Sequence, residues 1–226
     1  MTVADQGAPP LTFYTLALNY LALVQLITGA TLVTTQAASP VAFVAGALAW
    51  IYLVPPLACR LALLLFGRPH GRALTQRDRA YKVWWFTYQW QVLFNRLPWL
   101  DEILRLVPGL YALWIFLWGG RASPLVYWAP GALVIDRPLL VVERGAVIGA
   151  GAGLSGHSGT LASDGSFRID IGTAHIGSGA IMGVRSGLSA GELASGQMLP
   201  AGRMIKPFTR WDGKTRHALS PGGDNA

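Results

Sequence analysis

Residues 176–205 divide into consecutive six-residue frames, which read IGSGAI, MGVRSG, LSAGEL, ASGQML and PAGRMI. The second position of every frame is small, and most first and last positions are apolar. Upstream, residues 142–159 repeat the rhythm as VERGAV, IGAGAG and LSGHSG. A six-residue period fits neither an α-helix nor an alternating strand, and it is typical of a β-helix. We expect each rung to turn one apolar side chain inward, so that stacked rungs share a core.

The composition indicates that this repeat is only part of the molecule. The chain is 52% hydrophobic and only 13% charged, which is too apolar for an ordinary soluble domain. Long apolar runs fill the first half, whereas 27 Gly and 14 Pro exclude a purely helical membrane protein. The fold class we predict is membrane α-helices plus an all-β solenoid. Its parts are a membrane module (residues 1–120), a β-helix domain (121–210) and a polar tail (211–226).

Two candidate membrane spans occupy residues 11–34 and 40–66, each long enough for the roughly 20 residues that a bilayer core requires. A secretory signal is the competing interpretation of the first, but no basic segment precedes it and its apolar stretch is too long. Asn19 and Gln25 within it are expected to bond to a neighbouring helix.

The single cysteine, Cys59, is expected to be a small packed hydrophobic residue.

The positive charge is concentrated where the second span ends. The formal net charge is +7, and five basic residues follow that span: Arg68, Arg72, Arg77, Arg79 and Lys82. This placement favours anionic lipid headgroups as partners over nucleic acid, and it assigns that side of the membrane to the cytoplasm. The β-helix is then cytoplasmic too. Arg60 either snorkels to the headgroups or makes a polar contact at the mouth of a substrate cleft.

Two further apolar segments precede the repeat. Residues 81–99 are rich in Trp and Tyr, which predicts a helix lying in the membrane interface. Residues 106–118 are apolar but too short to span, so they are expected to form a re-entrant or interfacial helix. We expect this helix to create a hydrophobic pocket under the solenoid.

His157 is the residue with the clearest chemical potential. It occupies the fourth position of LSGHSG, and the frame is broken directly after it by TLASDGSFR, which predicts an accessible corner followed by an inserted loop. An imidazole with a pKa near about 6.5 can remove a proton from a hydroxyl or amine near neutral pH. A purely structural role is the alternative for a lone histidine.

Carboxylates near His157 are candidates to orient its ring. Asp164 and Asp170 follow it in the sequence, although Asp164 with the following glycine equally fits a plain loop turn. Asp136 and Arg137 are interpreted as a rung-edge pair without a chemical role. His175 is interpreted as structural or accessory.

Several segments together resemble a known family. VIGAGAGLSGH, DGSF, HIGSGAIMG and KPFTRW resemble bacterial hexapeptide-repeat acyltransferases, which have a left-handed parallel β-helix. LFNRLPWLDEILRLVPGLYALW and YWAPGALVIDRPLL resemble the membrane-attached branch found at the C-terminal end of polylysine-synthetase-type peptide synthetases. The resemblance covers residues 53–211 approximately, and it implies a protein of the bacterial inner (cytoplasmic) membrane.

The resemblance also implies a site. His157 would be the general base that deprotonates a hydroxyl or amine acceptor as it attacks a thioester. The donor would be acyl-CoA or a carrier thioester, held between subunits of a trimer, with no permanently bound cofactor. The implied pantetheine contacts are Gly183 and Ser186, and the implied phosphate contacts are Arg185, Arg203, Lys206 and Arg210. For each of these four basic residues, a solvent-exposed position without a binding role is an equal alternative. Because the membrane branch can contain two such modules in one chain, a homo-oligomer or a related partner chain is expected.

Two other functions remain open from the sequence. The first is a noncatalytic, membrane-anchored scaffold for a partner enzyme. The second is a carbonic anhydrase on the same kind of prism, which would need three histidines on zinc. Only His157 and His175 lie in the repeat, so no metal site is predicted.

Overall fold

The apolar runs of the first half form helices. The structure, a computed structural model, describes residues 12–219, so residues 1–11 of the predicted module and 220–226 of the predicted tail lie outside it. The helices in this part of the chain are α1 (Phe13–Asn19), α2 (Leu21–Gln36), α3 (Pro40–Phe66), α4 (Arg79–Arg96), α5 (Trp99–Arg105) and α6 (Leu110–Leu117). Ser39 caps α3 by accepting a hydrogen bond from the backbone N–H of Ala42.

The helix α3 is long and apolar enough to cross a membrane, by length and composition. The helices α1 and α2 meet the same criterion only as one segment, which is bent by 41°. Asn19 accepts a hydrogen bond of 3.0 Å from the side-chain amide of Gln89 in α4, the kind of contact expected of it. The Gln25 side chain is buried without a hydrogen-bond partner in the described residues, so its expected bond is not formed.

From Arg121 onward the chain visits three parallel sheets in turn, and each circuit adds one short strand to each sheet. Face 1 contains β2 (Arg121–Ala122), β5 (Leu140–Val142), β10 (Ala174–Ile176), β13 (Glu192–Leu193) and β16 (Thr209–Trp211), and β17 (Arg216–Ala218) extends it antiparallel. Face 2 contains β3 (Tyr127–Trp128), β6 (Val147–Ile148), β11 (Ile181–Met182) and β14 (Met198–Leu199). Face 3 contains β4 (Leu133–Val134), β7 (Gly153–Ser155), β12 (Gly187–Ser189) and β15 (Met204–Ile205).

The inward side chains of this coil stack in register. The buried ladders are Val142, Ile176 and Leu193 on face 1, Ile148, Met182 and Leu199 on face 2, and Leu154, Leu188 and Ile205 on face 3. The chain bends tightly between faces, and a Cβ added at Gly177 would lie 2.5 Å from the backbone nitrogen of Ser195. Glycine is therefore a steric requirement at Gly177, and also at Gly183, where an added Cβ would lie 2.5 Å from the backbone nitrogen of Ala201.

The break in the frame after face 3 forms an antiparallel hairpin rather than a loop. Its strands are β8 (His157–Leu161) and β9 (Phe167–Ile171), and β1 (Gly71–Leu74) pairs with β9 at the edge. The hairpin presents Ile169 and Ile171 as buried apolar side chains.

The aromatic helix α4 packs on this hairpin. Tyr81 and Trp84 are buried in one cluster with Ile169 and Ile171. The hairpin thus supplies the apolar surface that these two aromatic rings cover.

One hydrophobic core continues from the coil into the helices. Trp114, Ile115 and Trp118, from α6 and the residue after it, are buried in the same cluster as the inward ladders. Phe94 of α4 belongs to that cluster as well. These large side chains fill the space directly under the coil, and Phe116 of α6 instead lines cavities beside face 1 and at the end of α3. The two predicted units share this core.

Candidate active site

His157 begins the hairpin at the corner where face 3 leads towards face 1. It is the second residue after the end of β7, and its side chain is 21% exposed. Asp136 lies at the same corner one circuit earlier, just after β4. The backbone N–H of Ile135 donates to the carbonyl of Leu154 at 2.8 Å, which aligns the two successive circuits. The stacking of the coil therefore brings Asp136 next to His157, although 20 residues separate them in the sequence.

Asp136 is the carboxylate that contacts the imidazole. Its Oδ2 lies 2.6 Å from Nδ1 of His157, and its side chain is almost fully buried. Oδ2 also accepts hydrogen bonds from the hydroxyl of Ser155 at 2.9 Å and the backbone N–H of Gly156 at 2.8 Å. Oδ1 accepts a hydrogen bond of 2.9 Å from the indole N–H of Trp84. This number of donors holds the carboxylate in one orientation.

The two groups stabilise each other's charged form. Burial raises the pKa of Asp136, but the charge and hydrogen bond of His157 and the bonds from Trp84 and Ser155 outweigh it, so the pKa lies below its ordinary value. Burial likewise lowers the pKa of His157, whereas the charge and hydrogen bond of Asp136 raise it above its ordinary value. The imidazole is therefore a stronger base than a free histidine.

The other ring nitrogen is available for chemistry. When Nδ1 donates its proton to Asp136, Nε2 carries the lone pair. Within residues 12–219, Nε2 has no hydrogen-bond partner. The rings of Trp84 and Tyr88 lie against the imidazole, with centroids at 4.6 Å and 5.5 Å. These aromatic rings pack against the imidazole and restrict its orientation. Such a histidine can accept a proton from a nucleophile.

The predicted orienting residues have other contacts. Asp164 lies in the turn of the hairpin and accepts a hydrogen bond of 2.9 Å from the backbone N–H of Ser166. Asp170 accepts one of 2.8 Å from the backbone N–H of Ala73 in β1. The prediction that either carboxylate orients His157 is thus corrected in favour of Asp136. Asp136, interpreted from the sequence as part of a rung-edge pair with Arg137, contacts the imidazole of His157 instead.

Arg137, the residue after Asp136, is a buried cation with its own partners. Its guanidinium forms an ion pair of 2.9 Å with Asp101 and donates a hydrogen bond of 2.8 Å to Asn95. Its backbone N–H donates to the side-chain oxygen of Gln91 at 2.7 Å. These contacts tie α4 and α5 to the turn that carries Asp136, and so position the carboxylate.

A cavity of about 570 Å³ lies between this network and α4. Tyr88, which contacts the ring of His157, forms part of its wall. Trp85 and Asp101 also line it. Among the described residues, the indole N–H of Trp85 and the Oδ1 of Asp101 have no hydrogen-bond partner.

The backbone N–H groups of Gly183 and Ser186, expected to contact pantetheine, form hydrogen bonds within the coil. The backbone N–H of Gly183 donates to the carbonyl of Leu199 at 2.8 Å, and that of Ser186 donates to the carbonyl of Gly183 at 3.1 Å. The expected pantetheine contact through these amides is therefore corrected.

The four basic residues proposed for phosphate binding do not meet within one chain. Arg185 and Arg203 lie at the corner between faces 2 and 3, whereas Lys206 lies at the corner between faces 3 and 1, where His157 is also found. Arg210 lies on face 1 and pairs with Glu192 at 3.2 Å. All four are exposed.

His175 lies on face 1, away from the corner of His157, and its Nε2 contacts Glu143 at 3.0 Å. Across the described residues, no group of three His, Cys, Asp or Glu side chains is arranged to hold a metal ion.

The comparisons with known proteins give limited information. No family model matches the chain, and no curated protein matches its sequence. Similar solved structures are serine acetyltransferases. That of Neisseria gonorrhoeae is 18% identical, with 83% of this chain and 76% of that one covered and a TM-score of 0.20. The soybean enzyme complexed with serine is 16% identical, with 83% and 81% covered and a TM-score of 0.21. A serine acetyltransferase complex with cysteine is 13% identical, with 93% and 86% covered and a TM-score of 0.25. At such TM-scores, these similarities establish neither fold nor function for this chain.

Proposed function

We propose that this chain is a membrane-attached acyltransferase, in which a left-handed β-helix presents His157 as general base. The observation that carries the proposal is the 2.6 Å contact between Nδ1 of His157 and the buried Asp136, which leaves Nε2 with its lone pair. A buried carboxylate that fixes the tautomer of an imidazole and stabilises its protonated form supports general-base catalysis.

The proposed step transfers an acyl group from a thioester to a hydroxyl or amine. Nε2 of His157 takes the proton of the acceptor while its oxygen or nitrogen forms a bond to the thioester carbonyl carbon. The carbon–sulfur bond then breaks, and the thiolate leaves and receives a proton from the imidazolium. Asp136 stays ionised throughout and stabilises the imidazolium. The donor is acyl-CoA or a carrier thioester.

We place the protein in the bacterial inner membrane, with α3 and the bent pair α1–α2 as spans and the coil on the cytoplasmic side. The length and composition of these helices support this placement, and so do the basic residues after α3. Large apolar side chains along α2 and α3 are exposed, which suits contact with lipid tails.

We also propose that the donor site forms between chains of a homo-oligomer, a trimer in the simplest case. Arg185 and Arg203 lie at a different corner from His157, so a neighbouring chain would have to bring such a corner to the imidazole. The exposed positions of these arginines are compatible with that arrangement.

The test is the substitution His157→Ala in purified protein, with His175→Ala as matched control. Release of free thiol from acetyl-CoA is measured with a panel of amines, alcohols and a lipid extract as acceptors. Loss of a general base lowers the rate by a factor of roughly 100 or more. His175→Ala removes an imidazole of the same coil and is expected to leave the rate unchanged.

Two results would refute the proposal. Equal activity of His157→Ala and wild type would show that His157 is not the general base. Absence of acyl transfer by wild-type protein, together with retained cellular function of His157→Ala, would favour the noncatalytic scaffold.

A further inference from the structure

Three arginines from separate parts of the sequence converge where α3 ends. Arg60 lies in the last two turns of α3, Arg68 is the second residue after its end, and Arg121 begins β2. All three arginines line one cavity of about 400 Å³ together with Gly119 and Gly120. Burial lowers the pKa of Arg68, and the positive charges of Arg121 and Arg60 lower it further.

Arg60 is half-buried and Arg68 is exposed, and both differ in their partners from Arg105 and Arg137, whose side chains are buried. Arg105 and Arg137 form ion pairs with carboxylates. Among the described residues, Arg60 and Arg68 form no ion pair and donate to backbone carbonyls instead: Arg60 to Phe116, and Arg68 to Gly119 and Pro138. Like charges brought together repel, so an anion in this cavity would stabilise the arrangement. Guanidinium groups bind phosphate oxygens in particular, through paired N–H donors.

The rest of the cavity wall is apolar. Leu63, Leu64 and Phe116 line it, and Leu64 is 75% exposed on the side of α3. A ligand that satisfies both parts of the wall carries a negative headgroup and a hydrocarbon chain.

The neighbouring surface argues against an extended polyanion. A cavity of about 900 Å³ shares Arg68, Phe116 and Arg121 with the first and continues along face 1. Glu143 and Glu192 lie in its wall, and their negative charge disfavours further phosphates beyond the arginine cluster. A single phosphate with an apolar extension fits both cavities better than a nucleotide with several phosphates.

We infer that Arg60, Arg68 and Arg121 form a specific binding site for the phosphate of an anionic membrane lipid, whose acyl chain lies along α3. The site is separate from His157 and does not require acyl transfer. It needs only that α3 lies in a bilayer.

The experiment is native mass spectrometry of the detergent-solubilised full chain, titrated with phosphatidylglycerol. The test variant is R60Q/R68Q/R121Q. The control variant R72Q/R77Q/K82Q removes the same number of charges from the same end of α3 but outside the cavity. The test variant loses the charge-assisted contacts of three arginines to the phosphate, so it should bind the lipid roughly 100-fold more weakly or worse. The control variant should retain wild-type affinity for the lipid. His157→Ala should also retain it, whether or not this variant loses acyl transfer.

Circular dichroism and chromatography identify a misfolded test variant. In that case the single variants R60K and R68K provide the result, since lysine keeps the charge but not the paired donors. Weaker lipid binding by both would support the site. Equal loss in the test and control variants would overturn it in favour of diffuse charge attraction. Displacement of the lipid by millimolar inorganic phosphate, with equal affinity for phosphate alone, would assign the site to a free phosphate and refute the lipid.

Discussion

The contact between His157 and Asp136 makes a quantitative prediction for the variant Asp136→Asn. The substitution keeps the shape of the side chain and removes its charge. Oδ2 accepts three hydrogen bonds and Oδ1 accepts one from Trp84. The better orientation of asparagine places its oxygen towards the three donors, so its NH₂ group then faces the indole N–H of Trp84.

The expected loss of stability follows from these contacts. A hydrogen bond to a charged group contributes about 1.5–3 kcal/mol, and a buried donor left without an acceptor costs about 1–3 kcal/mol. We expect the free energy of unfolding to fall by about 3–5 kcal/mol near pH 5.5, where both native groups are charged.

The pH dependence has a definite sign. The folded-state pKa of His157 is raised, so its contribution is fully present below the ordinary value of 6.5 and is lost as pH rises through the folded pKa. The pKa of Asp136 is lowered, so its contribution is present above the ordinary value of 3.8 and is lost as pH falls through the folded pKa. The difference between wild type and Asp136→Asn should therefore be largest between these two ordinary values and smaller at alkaline pH.

The assay is urea unfolding of the detergent-solubilised protein, followed by tryptophan fluorescence at several pH values. Asp164→Asn is the control, because that carboxylate is exposed in the hairpin turn and should change stability little. An NMR titration of labelled histidine in Asp136→Asn should show a lower pKa for His157 than in wild type. An unchanged His157 pKa, or equal destabilisation by Asp164→Asn, would refute the reasoning.

Three further substitutions test the surrounding structure, with the free energy of unfolding as the measurement. Leu188→Ala removes a fully buried side chain from the ladder of face 3 and should cost about 2–5 kcal/mol, whereas Ile181→Ala, at a 40% exposed position, should cost much less; equal costs would contradict the stacked core. Arg137→Ala should lower the free energy of unfolding by about 3–5 kcal/mol, because it leaves Asp101 buried without that cation. The double variant R137M/D101L should recover much of this stability. No recovery would argue that the loss does not come from the broken ion pair. Trp84→Phe keeps an aromatic ring but removes the indole N–H that donates to Asp136. It should lower the free energy of unfolding by about 1.5–3 kcal/mol and raise the pKa of Asp136. If the loss of stability at acid pH occurred at the same pH in Trp84→Phe and wild type, this contact would be contradicted.

The six-residue frame predicted the inward ladders because it is a local property. Leu154 and Leu188 occupy the first frame position, whereas Ile205 occupies the sixth, because Leu193 follows Leu188 by five residues instead of six. In a short strand, the position of a residue decides which way its side chain points. His157 was identified from the same frame, since the repeat is interrupted directly after it. Membrane-compatible helices were likewise readable, because length and apolar content suffice to define them.

The partner of His157 could not be read from local pattern alone. Asp136 reaches the imidazole because successive circuits stack, so the contact depends on how many residues one circuit contains. Counting one circuit back from His157 would have provided the signal for Asp136. Proximity in the sequence instead favoured Asp164 and Asp170, which lie in the hairpin turn and in β9.

By itself, the sequence determined the period of the coil, the imidazole at its corner and the apolar character of the first half, all of which depend on neighbouring residues. Only the tertiary structure decided which carboxylate meets His157, how α4 covers the hairpin and where Arg60, Arg68 and Arg121 converge. The physical reason is that these contacts join segments distant in the chain, and their geometry depends on how whole elements pack rather than on any local pattern.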